Sequence, residues 1–342
     1  MIDKLEPLAK RIRESQSQIA ENAQAIRKGV SSLKESDEKT LIALVKSAPF
    51  DFSVCAVDGG LLADRLFGAD ILVGRSVAVN FQYSGGKLAT VDHFPSRFPE
   101  TVVDFRTGLD EHDAMVWRSL FRLKGEIGAA LDALGKFKPN LLFLDGSIVL
   151  LGSDKPSEHS ALYGEYHALL KAYKALYQKC EELGCQLVGV IKDSRGKRLV
   201  ECLQDQLLID VPDTMLADAL LSEGERTCAI PYTTDVKKHP VLSSLGESAD
   251  KVKLFYLKPS DSDSPLRVEF LQSKNGKSAD EVASIVHSLC SISKAFAYPA
   301  ALIEADMCAA LEPLEMDKIK RSLFMLTGGA SRPLRRAERP FR

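Results

Sequence analysis

The sequence predicts an α/β fold: a mixed sheet with helices on its faces, entered through a long N-terminal helix and extended by C-terminal elaborations. Three observations carry that expectation. Short apolar runs alternate with helix-period stretches in the order β-β-β-α-β-α-β. The runs are continuous rather than alternating, so each strand must be covered on both faces. The first 35 residues repeat on a seven-residue period, which neither a strand nor a loop produces.

In that opening segment Leu5, Ile12, Ile19, Ile26 and Leu33 recur every seventh residue, with Ala9, Gln16, Ala23 and Val30 four positions after the first four. The pattern is an a/d seam and predicts a long helix packed along another helix, either a second copy of itself or one from the same chain. After Pro49 the period changes. Ser53 to Asp58 reads as a buried strand closed by Gly59-Gly60, and Ile71 to Phe81 and Lys87 to Val91 flank the turn Tyr83-Ser84-Gly85-Gly86 as a hairpin. Leu109 to Leu134 carries Leu120, Leu123, Ile127, Leu131 and Leu134 at helical spacing, and Lys138-Pro139-Asn140 stops it.

Leu141 to Asp145 is the next buried strand. A helix from Glu158 to Leu183 follows, with Gly184 at the position of a C-cap glycine, then the strand Gln186 to Ile191. Beyond it come a helix over Pro212 to Leu221, a hairpin of Lys253 to Leu257 and Arg267 to Leu271, a helix over Ala279 to Leu289, and a last one from Pro299 to about Leu311. With no repeats and no long low-complexity linker, 342 residues that are 45% apolar read as one elaborated domain. Its boundaries fall at 1–48 for the helical segment, 49–326 for the core with its elaborations, and 327–342 for a basic tail.

Lys and Arg total 45 against 47 for Asp and Glu, a net charge of −2, which argues against binding nucleic acid through a uniformly basic surface. Five arginines and one glutamate lie between Ser331 and Arg342, so the positive charge is concentrated at the end. A solvated flexible terminus is the plainer reading of that tail, and an arm for anionic ligands is the other. No apolar run approaches the roughly 20 residues that span a bilayer, and the N-terminus lacks the apolar stretch of a signal peptide. The expectation is a soluble cytoplasmic protein with no membrane partner. Seven scattered cysteines fit reduced core thiols. With no C-x-x-C pair and no clustering of the six histidines in sequence, a structural zinc is not expected.

Two strands end alike, Val57-Asp58-Gly59-Gly60 and Leu144-Asp145-Gly146-Ser147. Asp-Gly is a common turn, but an aspartate at the end of a buried strand also projects into the opening where ligands of open α/β sheets bind. These strands are neighbours in the expected topology, which places the carboxylates side by side. At about 4 Å and an effective dielectric of about 20 they repel by several kcal/mol, so a cation between them is the natural compensation. Oxygen donors suit Mg²⁺ or Mn²⁺, which neutralise a phosphodiester and activate water.

Glu126, on the edge of the apolar stripe of its helix, is the candidate third ligand, with Glu111 and Asp113 competing and an ordinary solvated glutamate as the bland reading. Asp306 projects from a last helix otherwise made for burial, and Glu304 is surrounded equally by apolar residues, so spacing does not choose between them. Lys192 follows the fifth strand and is a candidate to hold a phosphate or pair with a catalytic carboxylate. Arg267 and Glu269 share one strand face, either toward DNA or merely solvated.

Taken in order, AVDGG, the helix with Glu126, LDGS nineteen residues later, IKDS, the YLKP and RVEF hairpin and YPAALIEAD resemble the NurA nucleases, from about Asp51 to Leu311. The resemblance implies an RNase H-like core. It further implies a homodimeric DNA exonuclease, with endonuclease activity beside it, that prefers Mn²⁺ over Mg²⁺, uses two ions, and works with a hexameric HerA-type ATPase in DNA end resection at double-strand breaks. Asp58, Glu126 and Asp145 match the family's metal-binding carboxylates. At the C-terminal position, often histidine in the family, this chain has Asp306. Among competing readings, actin-like and sugar-kinase ATPases share the core type but use Gly-Thr phosphate loops where this chain has Gly-Gly and Gly-Ser. A catalytically inert adaptor for an ATPase ring is the non-enzymatic reading, against which the retained carboxylates argue.

Overall fold

The computed structural model describes residues 2–46, 51–204, 210–273, 276–332 and 334. In chain order the first elements are α1 (Ile2–Gly29), β1 (Ile42–Leu44), β2 (Ser53–Leu66), β3 (Ala69–Ser84), β4 (Lys87–Phe94), β5 (Val102–Arg106), α2 (Glu111–Phe137), β6 (Leu141–Asp145), α3 (Tyr163–Leu183) and β7 (Gln186–Ile191). There follow α4 (Arg198–Cys202), α5 (Asp213–Leu220), β8 (Glu225–Thr227), β9 (Ile230–Pro231), β10 (Val252–Lys258), β11 (Leu266–Leu271), α6 (Ala279–Leu289), α7 (Ala300–Ala309) and α8 (Pro313–Leu326). The result is the expected mixed α/β architecture with flanking helices and a long N-terminal helix. None of the described helices is long and apolar enough to cross a membrane.

The chain divides into two compact units, Met1–Phe50 with Asp145–Ile148 and Gln186–Ala300, and Asp51–Leu144 with Val149–Cys185 and Ala301–Arg342. In the first unit the strands run β1-β8-β10-β11-β7, with β9 paired to β10. The β10–β11 hairpin is antiparallel in the register Phe255 opposite Val268, as its two apolar runs predict. The C-terminal half of the α1 seam is buried in this unit, where Ala23 and Ile26 join Leu33 and pack with Leu216, Ala217 and Leu220 around α5. The seam's helix ends at Gly29, so Leu33 contributes from the segment after it. Toward the N-terminus the same seam is open to solvent, with Leu5 and Ile12 both more than half exposed. An intramolecular partner therefore accounts for half of the heptads.

In the second unit the order is β6-β2-β3-β4, with β5 also on β3. β2 pairs parallel with β6 and antiparallel with β3. Here the sequence reading needs a correction. Gly59-Gly60 does not end the first strand: β2 is 14 residues long and runs on to Leu66, because β3 hydrogen-bonds along its whole length. What ends beside Val57 is the pairing with β6, whose last matched residue is Leu144.

α2 begins on an Asp110 cap, whose side chain accepts the Asp113 amide at 2.7 Å, and ends on a left-handed Lys138 before Pro139. It lies on β2 and β3 through small residues: a Cβ at Gly125 would stand 2.4 Å from Ser76 Oγ, and one at Gly59 would stand 2.9 Å from Glu126 Cγ. Close approach of backbone to helix is what these glycines permit. α3 buries Tyr166, Leu169, Tyr173, Leu176 and Cys180 and closes on a left-handed Gly184, starting five residues later than expected. α8, unforeseen in the sequence, covers Leu66, Ile71 and Val73 with Met316. Of the basic tail, residue 333 and everything from 335 onward lie outside the described residues.

Candidate metal centre

Asp58 and Asp145 each follow in sequence directly on a last paired residue of the parallel β2–β6 ladder, Val57 and Leu144. Asp58 is 7% exposed and accepts the amide of Gly59 at 2.7 Å. From α7, Asp306 offers a carboxylate oxygen within 4.8 Å of one from Asp58. At an effective dielectric near 20 two such charges repel by on the order of 3 kcal/mol, a cost that a cation between them removes.

α7 places Glu304 and Asp306, between which spacing did not choose, against different neighbours. Residues 304 and 306 lie on different sides of a helix, two positions being about 200° apart. Asp306 is exposed on the side of Asp58, whereas Glu304 turns to His93 and Arg97 of the β4 region, at 3.2 and 3.1 Å. Asp306 is thus not the buried carboxylate that its apolar neighbours suggested. Although Leu302 and Ala309 are buried, Ala310 and Asp306 itself face solvent.

Glu126 is 6% exposed, which excludes the solvated-glutamate reading. Its Oε1 accepts Arg122 Nη1 at 2.6 Å, and its stem lies against Gly59, the residue next to Asp58. Its rivals are placed elsewhere: Glu111 is exposed in the first turn of α2, and the Asp113 carboxylate accepts the Ser160 hydroxyl at 2.9 Å. Gly59 is therefore a packing requirement for Glu126, and glycine is the only residue that leaves that space.

Asp145 is held in place by its own unit. Lys192 Nζ donates to its Oδ2 at 3.1 Å, and the Tyr298 hydroxyl lies 2.9 Å from its Oδ1 and 3.0 Å from the Val190 carbonyl. The Lys192 ammonium also sits 4.0 Å from the centre of the Tyr298 ring, a cation–π contact. After Asp145 the chain turns at Gly146, with φ at 127°, whose amide reaches the Val190 carbonyl at 3.0 Å. A Cβ on Gly189 would come within 2.5 Å of the Gly146 carbonyl, so the turn needs glycine on both sides.

The next two residues are anchored by a buried pair. Glu269, 1% exposed, accepts the Ser147 hydroxyl at 2.6 Å and the Ile148 amide at 3.1 Å, and Arg267 Nε donates to its other oxygen at 2.8 Å. Arg267 is 7% exposed, within 3.4 Å of the Tyr256 hydroxyl and 5.1 Å from the Tyr232 ring centre. Burial opposes its charge, but Glu269 beside it outweighs that and holds the guanidinium pKa above its ordinary value. The Arg267–Glu269 face is consequently neither solvated nor open to a phosphate, and the expected DNA contact by Arg267 is replaced by a structural role. Tyr298 and Arg122 carried no signal as site residues, although Tyr298 opens the YPAALIEAD segment.

Asp58 and Asp306 offer only oxygen donors, which suit a hard divalent ion, and Arg122 fixes the neighbouring Glu126 carboxylate without supplying a soft donor. With that geometry in view, the family is decided by the match of the NurA domain over residues 52–311. The chain belongs to the NurA family. The crystal structure of the NurA nuclease from Sulfolobus solfataricus superposes with a TM-score of 0.59 at 17% identity, covering 94% of this chain and 97% of that one. A NurA structure bound to dAMP and manganese matches with a TM-score of 0.58 at 12% identity, covering 94% and 97%. No curated protein matches the sequence. The NurA fold thus extends over nearly the whole chain while little of the sequence is shared.

Proposed function

We propose that this NurA-family protein is a divalent-metal-dependent DNA nuclease in which Asp58, Glu126, Asp145 and Asp306 hold two Mn²⁺ or Mg²⁺ ions. The observation that carries the reading is the approach of Asp306 to Asp58, within 4.8 Å. A bound divalent ion would supply an activated water and neutralise the phosphodiester. The chain's own residues then have distinct tasks. Lys192 and Tyr298 hold the Asp145 carboxylate in one orientation, and Arg122 does the same for Glu126. Lys192 is about one-third exposed, so its ammonium is also able to meet a phosphate of the DNA.

The solved NurA structure with dAMP and manganese supports the substrate and metal classes by kinship. The sequence resemblance to the NurA nucleases supports assigning, beyond that, a homodimer with a hexameric HerA-type ATPase as partner in end resection, and the lack of a signal-peptide-like or membrane-spanning stretch supports the cytoplasm as its place. Linear single- and double-stranded DNA incubated with the protein and Mn²⁺ tests the central claim. Asp58→Asn and Asp145→Asn should each abolish cleavage, while the urea midpoint of Asp58→Asn holds or rises because its repulsion with Asp306 has been removed. Undiminished cleavage by either variant refutes the assignment.

A further inference from the structure

α7 carries a second cluster on the side away from Asp58, and its donors are different. Glu304 and Cys308 stand one helical turn apart, and His93 reaches them from β4. His93 Nε2 lies 3.2 Å from Glu304 Oε1, and Cys308 Sγ lies 3.5 Å from the same oxygen. One ligand atom from each of the three residues falls within 4.8 Å of the others.

Those lengths have a chemical meaning. Zinc binds nitrogen and oxygen at about 2.0–2.2 Å and thiolate at about 2.3 Å, so neighbouring ligand atoms of a tetrahedral site are about 3.3–3.7 Å apart. Both measured separations lie within about 0.2 Å of that range. We propose that His93, Glu304 and Cys308 form a transition-metal site of the zinc and cobalt class, separate from the carboxylate centre, that ties α7 to β4. Imidazole and thiolate select such ions over Mn²⁺ and Mg²⁺, which the all-oxygen centre prefers. Cys308 is 1% exposed, so the thiolate is shielded from solvent, whereas His93 and Glu304 remain partly open.

Arg97 supplies the missing charge when no metal is bound. Its guanidinium donates to Glu304 Oε1 at 3.1 Å from a side chain that is 58% exposed. On binding, the Cys308 thiol gives its proton to solvent, Arg97 turns outward, and the thiolate and carboxylate together neutralise the divalent ion. The fourth position faces the space Arg97 leaves and is filled by water. Sequence spacing hides the site, because His93 is more than 200 residues from its partners.

Metal-free full-length protein titrated with Co²⁺ alone tests the proposal through the near-ultraviolet thiolate-to-cobalt charge-transfer band, a signal that carboxylate sites do not give. One equivalent should produce the band in the wild type and equally in Asp58→Asn. Cys308→Ser should lose it, His93→Gln should weaken the affinity at least about tenfold, and Arg97→Ala should tighten it. His93 is partly exposed, so its variant keeps the test decisive even if Cys308→Ser folds poorly. Absence of the band in the wild type, or a band unchanged in Cys308→Ser or His93→Gln, overturns the proposal. Neither result bears on whether the protein cleaves DNA.

Discussion

Replacing Arg267 by Met separates its structural role from a role on DNA. The substitution keeps most of the side-chain volume but removes a charge that is 7% exposed and paired with a carboxylate that is 1% exposed. Glu269 would keep its bonds from the Ser147 hydroxyl and the Ile148 amide, at 2.6 and 3.1 Å, and lose the guanidinium at 2.8 Å. Breaking a buried ion pair from one side costs about 3–5 kcal/mol, because the remaining charge is uncompensated. Denaturant unfolding followed by circular dichroism should show a loss of that size. The double variant Arg267→Met with Glu269→Gln should recover part of it, since no buried charge is then left alone. Under folding conditions the salt dependence of DNA affinity should be unchanged in Arg267→Met. Lys192→Ala should behave in the opposite way, with a stability loss below about 1 kcal/mol and a salt slope flattened by about one phosphate contact. A loss under about 1 kcal/mol in Arg267→Met together with a flatter salt slope would refute the structural assignment and restore the DNA contact.

Gly60→Ala would drive a Cβ to within 2.0 Å of the Ala309 carbonyl, so it should cost about 1–3 kcal/mol and, by shifting the helix that bears Asp306, lower Mn²⁺-dependent cleavage well beyond the unfolded fraction. In α1, Ile26→Asp places a charge where exposure is 0% and should destabilise by about 3 kcal/mol or more in thermal unfolding, whereas Ile12→Asp, at 59% exposure, should stay within about 0.5 kcal/mol of the wild type and alter only self-association or partner docking. Asp213 is pushed above the ordinary carboxylate range by burial, despite hydrogen bonds from Leu199, Val200 and Tyr256. A raised folded pKa contributes stability below the unfolded value of about 3.9 that is lost as pH rises through the folded value, so Asp213→Asn should remove that part of the falling slope in a pH series of unfolding free energies.

The parts of the fold legible in the sequence are those where burial forces a pattern. Leu141–Asp145 and Gln186–Ile191 are covered on both faces, so the only polar side chains in them are the last of the first strand, Asp145, and the first of the second, Gln186, and their ends agree with the structure to the residue. The capping box of Ser278 and Glu281 fixes the start of α6 in the same direct way. β1, β8 and β9 are two or three residues long and exist only because β10 lends them hydrogen bonds or, for β1, through β8. No local pattern announces such strands. The continuation of β2 past Gly59-Gly60 escaped notice for a different reason: glycine weakens a strand locally, but a full-length antiparallel partner and the need to admit Glu126 both override that preference.

The candidate site divides along the same line. Asp58 and Asp145 are readable because each follows an apolar run and precedes glycine, and each comes directly after a residue of the last pair, Val57 and Leu144, in a parallel ladder. Glu126 and Asp306 are readable only as members of helices, where period gives a face but not what the face meets. The structure supplies that meeting: Glu126 is enclosed because Gly59 makes room for it, whereas Asp306, expected among buried neighbours, is exposed while Glu304 turns toward His93 and Arg97. Arg267 and Glu269 show the limit most clearly. Alternation along a strand told that they share a face, yet a face with two opposite charges is as consistent with a buried pair as with a wet one. The deciding facts, the Ser147 hydroxyl and the Ile148 amide, come from a turn over a hundred residues away. A buried charge is retained there because the turn it holds is the one that follows Asp145, so the cost of burial is tied to the position of a carboxylate rather than to the stability of the sheet.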